Sequence, residues 1–438
     1  MQSFFGSDPQ LKQMNITKNS FKQKMPFPKA GWLAFFLLWP FGAFLMALRR
    51  FRSTQAKTIF WLFCIYFGFV FVYPKETKGT ADSSRYAAEL LSMHEQRIAF
   101  SDLVHSMYNT NEGLLDVYQP LTTWFVALFT GNANWLFLLF AAVFGFFYAQ
   151  NIWLIISKIE VRIGLFLFLF ILTFSLTIPI WYINGVRMWT AAQIFLYGSL
   201  LYFLEGNRKG IIWIVLTPLF HFSFLFPVMV FFVYLILPNY IALFFIFFVA
   251  TSFVNEINIP ALREQLSFLP AIFQPKINTY LNEDYLLRLE QAHENFSWHV
   301  YFASLSGRLV IYIWTITAFF LRKYWNSDKK ILATLFSFAL FLGGWANLSS
   351  LLPSGGRIHT LANGFFYASF ILMLLWSSFS VKVNLIKYIT FPFLLFNIIF
   401  SIRVGFDYIG ILTILGNPIT AIMGFEQTPL IQFIKQLF

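Results

Sequence analysis

Apolar runs of membrane-spanning length recur along this chain from Gly31 to Val404, and they constrain its fold more than any other feature. A helix needs about 20 apolar residues to cross the roughly 30 Å hydrocarbon core of a bilayer. Hydrophobic residues make up 58% of the 438 residues and charged residues only 11%, against about a quarter in soluble domains. The alternation of apolar and polar residues that marks barrel strands is missing from the sequence. We therefore expect an all-α protein, a polytopic transmembrane helical bundle that forms a single domain over residues 1–438.

The positive charges predict how this bundle sits in the membrane. Short corners rich in Lys and Arg stay on the cytoplasmic side, and several such corners separate the apolar runs. Two long polar loops have more acidic than basic side chains, and we expect both to be external: residues 74–134, with interfacial helices, and residues 257–299. The net charge of +12 thus reflects topology and does not indicate a nucleic-acid partner.

Counting crossings between these loops predicts about twelve spans. The first two are placed at 31–48 and 58–73 with the N-terminus outside, although the lysines before residue 30 favour the alternative of a re-entrant first helix kinked at Pro40. Later spans are placed at 135–156, 163–184, 187–205, 240–256, 300–321, 331–352, 361–378 and 388–404. The run 118–131 is too short for a span and is interpreted as an interfacial or re-entrant helix.

The run 211–237 is too long for one span and too short for two, yet the count requires it to leave the cytoplasmic side and return. It is therefore predicted to form a hairpin of two short helices with its tip at residues 221–223. At 1.5 Å of rise per residue, such limbs do not clear the outer headgroups. This places His221 below the external surface.

The same count places eight ionisable groups on or just under the external side: Asp82, Arg85, Asp116, Arg187, His221, Arg308, Arg357 and His359. An intramembrane ionisable residue is by default a candidate functional group. Guanidinium groups bind phosphate oxygens with two parallel hydrogen bonds, so Arg187, Arg357 and Arg308 are candidates for holding a pyrophosphate. A half-buried histidine suits a general base, which makes His221 the first candidate and Asp82 its competitor. Arg85, Asp116 and His359 are further candidates for the acceptor side.

Structural explanations compete with each of these roles. Arg187 could be a snorkelling anchor, and His221 could bond a carbonyl freed by a nearby proline. Arg308 could pair with Glu256, and Asp82 could be the N-cap of a helix. The single cysteine, Cys64, excludes a disulfide framework, and no H-x-x-x-H, H-E-x-x-H or D-x-D motif is present. We therefore expect neither a metal site nor a cofactor.

Three short motifs resemble those of the EpsG family, the Wzy-like bacterial polysaccharide polymerases. They are D-S-S-R-Y-A at 82–87, G-V-R-M-W-T-A-A-Q at 185–193 and L-F-H-F-S at 219–223. The W-P-F opening at 39–41 and the G-N-P tail at 416–418 are also similar. Many family members have R-Q at the arginine, whereas this chain has Arg187 followed by Met188, so only the arginine carries over.

The resemblance implies a fold related to the C-type glycosyltransferases and a place in the bacterial cytoplasmic membrane. It implies that repeat units linked to undecaprenyl pyrophosphate, as both donor and acceptor, are joined at the external face into an O-antigen, capsule or exopolysaccharide, without nucleotide sugars. In this hypothesis Arg187, Arg357 and Arg308 bind the donor pyrophosphate, and His221 or Asp82 accepts the proton. A chain-length regulator is a plausible partner. The alternatives are a flippase or transporter of the lipid-linked glycan, and an O-antigen ligase or O-acyltransferase.

Overall fold

The computed structural model describes residues 28–74, 81–108, 116–237, 239–254, 259–267, 274, 277–278, 297–325, 329–352, 355–376, 381–424 and 427–437. This part of the chain is helical throughout and contains no strand. Its α-helices are, in chain order, α1 (Lys29–Leu38), α2 (Pro40–Arg49), α3 (Ala56–Phe69), α4 (Asp82–Gln96), α5 (Phe100–Tyr108), α6 (Tyr118–Ala127), α7 (Ala133–Ile156), α8 (Leu165–Thr177), α9 (Val186–Glu205), α10 (Lys209–Leu216), α11 (Leu225–Ile236), α12 (Ile241–Thr251), α13 (Ile259–Gln265), α14 (Trp298–Leu321), α15 (Lys329–Ser349), α16 (Gly356–Trp376), α17 (Val381–Gly405), α18 (Ile411–Leu415), α19 (Pro418–Ile422) and α20 (Leu430–Leu437).

Six helical segments in the described ranges are long and apolar enough to cross a membrane: Ala133–Ile156, Leu165–Glu205, Trp298–Tyr324, Lys330–Ser349, Gly356–Trp376 and Val383–Gly405. Shorter apolar helices of 10–17 residues add to them, α2, α3 and α12 among others. An all-helical membrane protein is therefore shown, whereas about twelve crossings stays a prediction. The difference arises because the chain breaks several apolar runs into short helices.

Two of these breaks change the predicted spans. The run 31–48 is divided at Trp39, whose extended backbone separates α1 from α2 at the position of Pro40. Proline has no N–H to donate and clashes with the preceding turn, so a helix is interrupted there. The run 163–184 is helical only to Thr177, and a 3-10 helix, Ile180–Gly185, then leads into α9. Asn184 and Gly185 thus lie in a tight turn, as predicted.

The helix ends collect at two faces of the bundle. At one face, Arg52 donates a hydrogen bond to the carbonyl oxygen of Val161 over 2.6 Å, and Lys158 pairs with Glu205 at 2.8 Å. We call this face, formed by the corners at 49–55, 157–164 and 206–209, the basic end. The turn before α9 and the start of α7 lie at the other face, the opposite end. The packing between is dominated by phenylalanine, as in the pairs of Phe60 with Tyr148 and Phe71 with Phe137.

The run 211–237 has the predicted hairpin shape. Helix α10 rises from the basic end along α9, where Gly210 lies directly against Gly198. Helix α11 returns along the same helix, since Phe224 packs on Phe195 and Tyr234 packs on Phe203. Between them, residues 217–224 form two 3-10 turns separated by an extended residue 221. The tip therefore stands at the level of the first half of α9.

A cavity of about 830 Å³ opens between α2, α3, α7, α8 and α17. Its lining is almost wholly apolar and includes Phe63, Leu172 and Ile402, together with Trp181 of the 3-10 turn before α9. The indole nitrogen of Trp181 and the hydroxyl of Thr413 line this space without a hydrogen-bond partner. The cavity thus extends from Arg49 and Gly164 at the basic end to Trp181 in the turn that carries Asn184.

Candidate functional site

The hairpin tip fixes the ring of His221, which is 7% exposed. The residue is extended and precedes the 3-10 turn Phe222–Phe224. Its Nδ1 accepts a hydrogen bond from the backbone N–H of Ser223 (3.2 Å) and lies 2.8 Å from the Ser223 hydroxyl. Because a backbone N–H can only donate, Nδ1 carries no proton, and the neutral ring holds its proton on Nε2. The ring therefore carries its hydrogen-bond donor at Nε2. Its Nδ1 does not bond a backbone carbonyl freed by a nearby proline.

Asp116 joins the hairpin tip to α9. The residue is 5% exposed. Its Oδ1 accepts a hydrogen bond from the backbone N–H of Phe222 (2.6 Å), and Oδ2 accepts one from Nη1 of Arg187 (3.1 Å). The next residue continues the attachment, since the N–H of Val117 donates to the carbonyl oxygen of Leu219 over 2.8 Å. Asp116 thus uses both oxygens to hold two elements together.

Arg187 is the second residue of α9, where a cation opposes the positive end of the helix dipole. Besides Asp116, it contacts α4, since its Nε donates to the hydroxyl of Tyr86 over 3.3 Å. The side chain is 21% exposed, and Nη2 has no hydrogen bond within the described chain. The arginine is therefore a paired, partly exposed group, which differs from a snorkelling anchor. One face of its guanidinium remains available.

Helix α4 places three polar side chains at helical spacing toward this group: Asp82, Tyr86 and Glu89. Asp82 is the first residue of the helix and makes no capping bond, so the N-cap interpretation does not hold. Its Oδ1 instead pairs with Arg85 at 2.6 Å. The neighbouring Ser83 hydroxyl donates to Oδ1 of Asn184 over 2.6 Å, which fixes α4 against the turn before α9.

Glu89 was not predicted from the sequence. Its Oε2 accepts a hydrogen bond of 2.9 Å from Nε2 of Gln119, which is 3% exposed in α6. Burial raises the pKa of Glu89, and the bond from Gln119 and the charges of Arg187 and Arg85 oppose this increase. Burial also raises the pKa of Tyr86, so its hydroxyl stays neutral. The one sequence signal for Glu89 is its distance of seven residues from Asp82, which places both on one helical face.

Five of the eight predicted site residues are therefore linked: Asp82, Arg85, Asp116 and Arg187 interact with one another, and His221 precedes Phe222, whose backbone N–H binds Asp116. We call them, with Tyr86 and Glu89, the Arg187 cluster. Arg308 of α14 and Arg357 of α16 are exposed, and neither forms a hydrogen bond or ion pair with any residue that the structure describes. Arg308 interacts electrostatically with the half-buried His359. Arg308 and His359 thus form a second pair, and none of these three residues bonds to the Arg187 cluster in the part of the chain that the structure describes. Glu256 lies outside the described residues.

Within the described ranges, no group of three or more His, Cys, Asp or Glu side chains could hold a metal ion. Fold and site thus define an all-helical membrane protein with a polar cluster at one end of its bundle. No family model matches the chain, and no curated protein or solved structure does so either.

Proposed function

We propose that the protein is a polysaccharide polymerase of the bacterial cytoplasmic membrane, a glycosyltransferase that joins lipid-linked oligosaccharide repeat units at the external face. The observation that carries this proposal is the Arg187 cluster itself, in which α4, the segment before α6 and α9 bring cationic and acidic groups together beside the hairpin tip. The motifs that resemble those of the EpsG family lie on these same segments and support it.

In this proposal the anomeric carbon of the donor glycan leaves undecaprenyl pyrophosphate and bonds to a hydroxyl oxygen of the acceptor unit. The electron pair of the broken bond stays on the pyrophosphate, where charge develops in the transition state. Arg187, through its available Nη2, and the unpaired Arg308 and Arg357 would stabilise this charge. No metal is assigned to the reaction.

The apolar cavity supports a lipid-linked substrate. Its apolar lining would accept hydrocarbon. Trp181 lies six residues before Arg187, in the 3-10 helix that leads into α9. A polyprenyl chain in the cavity would therefore bring its headgroup toward the Arg187 cluster. Binding sites of this volume are typical of small-molecule ligands, whose apolar walls supply most of the contact.

The test is to incubate the purified protein with a repeat unit linked to undecaprenyl pyrophosphate and to separate the products by size. We expect a ladder. Arg187→Ala should lower the rate by about 100- to 1000-fold, because one preorganised charge donor at a developing anion contributes this much. Arg187→Lys keeps the charge but not the planar geometry, and it should retain intermediate activity.

The matched control is Arg403→Gln, which removes an arginine from a surface ion pair with Asp407. It should leave the ladder unchanged. Products extended by one unit only would indicate a ligase, and an unmodified lipid that crosses vesicle membranes would indicate a transporter. Wild-type ladders from folded Arg187→Ala protein would exclude the assigned role of the arginine.

A further inference from the structure

The reaction proposed above releases a proton from the acceptor hydroxyl, and the groups first considered for accepting it are already engaged. Nδ1 of His221 accepts from Ser223, which leaves the proton-bearing Nε2. Both oxygens of Asp116 are occupied by Phe222 and Arg187. Protonating Asp82 would leave Arg85 without its partner at 2.6 Å.

Glu89 is the remaining carboxylate of the cluster, and its geometry differs from the others. Its hydrogen bond from the buried Gln119 fixes Oε2, and the second hydrogen of that amide is held by Thr123, which accepts at 3.0 Å. Oε1 forms no hydrogen bond within the described chain, and the side chain is only half-buried. One oxygen is thus positioned by the protein while the other remains available to a ligand.

We infer that the carboxylate of Glu89 accepts the proton of the acceptor hydroxyl during glycosyl transfer, an assignment that rests on the proposed function. As the acceptor oxygen bonds to the anomeric carbon and the pyrophosphate leaves with its electron pair, the hydroxyl proton moves to Oε1. Glu89 is then neutral and returns its proton to water before the next cycle. The bond to Gln119 keeps the carboxylate in place in both states.

The surroundings of Glu89 suit this role. The charges of Arg85, on its own helix, and of Arg187, on α9, act on Glu89, and Gln119 binds it from α6. Burial makes Glu89 a stronger proton acceptor than an exposed glutamate, because the buried anion is poorly solvated. The nearby Arg187 and Arg85 still favour the ionised form that a base requires. General bases whose pKa lies near the working pH are the most effective.

The experiment compares Glu89→Gln with wild-type protein in the ladder assay over a range of pH. Glutamine keeps an oxygen toward Gln119 but cannot take a proton. We expect kcat to fall by about 100- to 10,000-fold with little change in KM for the donor. The wild-type kcat should fall as the pH drops through the raised pKa of Glu89, whereas the residual rate of Glu89→Gln should lack this acidic limb.

Glu95→Gln is the matched control, because Glu95 is an exposed residue of the same helix. It should behave as wild type. Glu89→Asp, which keeps a carboxylate at a shorter reach, should recover part of the rate and the acidic limb, and it remains informative if the glutamine variant does not fold. A folded Glu89→Gln protein with wild-type kcat overturns the inference alone, since the wild-type ladder still supports the polymerase. A wild-type protein that forms no ladder overturns both.

Discussion

Arg187 is both a structural and a chemical residue in this molecule. A guanidinium that is 21% exposed cannot remain in a membrane bundle without compensation, and Asp116 supplies it. Breaking a buried ion pair by removing one partner usually costs about 3–5 kcal/mol, because the other charge is left unpaired. The activity of an Arg187 variant should therefore be measured together with its thermal stability.

A double-mutant cycle separates the two contributions. Asp116→Asn and Arg187→Met should each lower the midpoint of thermal unfolding in detergent. The double variant should lose less stability than the sum of the two single losses, with a coupling energy of about 0.5–3 kcal/mol, since neither charge is then left unpaired. It should nevertheless be inactive. Additive losses would show that the 3.1 Å contact contributes nothing to stability.

The sequence identifies ionisable side chains in unusual positions, but it does not identify every residue of the Arg187 cluster. Arg187, His221 and Asp116 were predicted because an ionisable group beside an apolar run requires a structural or functional explanation. Glu89 was missed because the segment around it reads as an ordinary polar helix, and only the tertiary contact with Gln119 buries it. The pairing of Asp116 with Arg187 was also out of reach, since 71 residues separate them.

The hairpin of α10 and α11 shows how an element can be predicted without local propensity. Its existence followed from the number of crossings, and its tip at His221 followed from the length of the run. The break at Trp39 agrees with the alternative of a first helix kinked at Pro40, whereas the break after Thr177 did not follow, because apolar composition alone cannot distinguish a continuous helix from two short ones. The backbone dihedral angles at the helix ends determine where each helix stops.

The close contact of α9 with α10 gives a test at the same scale. An added Cβ would lie 2.6 Å from the Gly210 carbonyl oxygen in Gly198→Ala, and 2.2 Å from the Gly198 carbonyl oxygen in Gly210→Ala. Small residues let membrane helices approach closely, and neither backbone can give way locally. Both substitutions should cost about 1–3 kcal/mol and lower activity by displacing the hairpin tip.

The control for these two variants is Gly164→Ala. No atom lies within 4 Å of its built Cβ, so folding should be unaffected. The comparison uses thermal unfolding in detergent and the ladder assay. Wild-type stability in Gly198→Ala would mean that the helices are not held at this distance.

The whole molecule has a basic end and an opposite end that carries the Arg187 cluster, and the charge rule predicts their orientation. The only cysteine, Cys64, is 2% exposed. Cys64→Ala therefore gives a cysteine-free protein into which one new cysteine can be introduced at a time. In intact spheroplasts, a membrane-impermeant maleimide should label Gln96→Cys but not Ser157→Cys. Permeabilisation should expose the second position.

The reverse labelling pattern would contradict the orientation and with it the external site of reaction. Cys64→Ala alone should show no labelling in either condition. This experiment does not depend on the enzymatic proposal, because it reports only the side of the membrane on which each end lies.

The carboxylate of Asp116 has a consequence for how the protein is made. It leaves the ribosome 71 residues before Arg187 and 106 before Phe222, its two partners. Until those residues have been synthesised, the carboxylate has neither the guanidinium nor the backbone amide that it binds in the folded protein. The cluster can close only after α9 and the first limb of the hairpin have been inserted. Assembly of this end of the molecule is therefore a late event, and chains that end before Arg187 contain Asp116 with neither of its two partners.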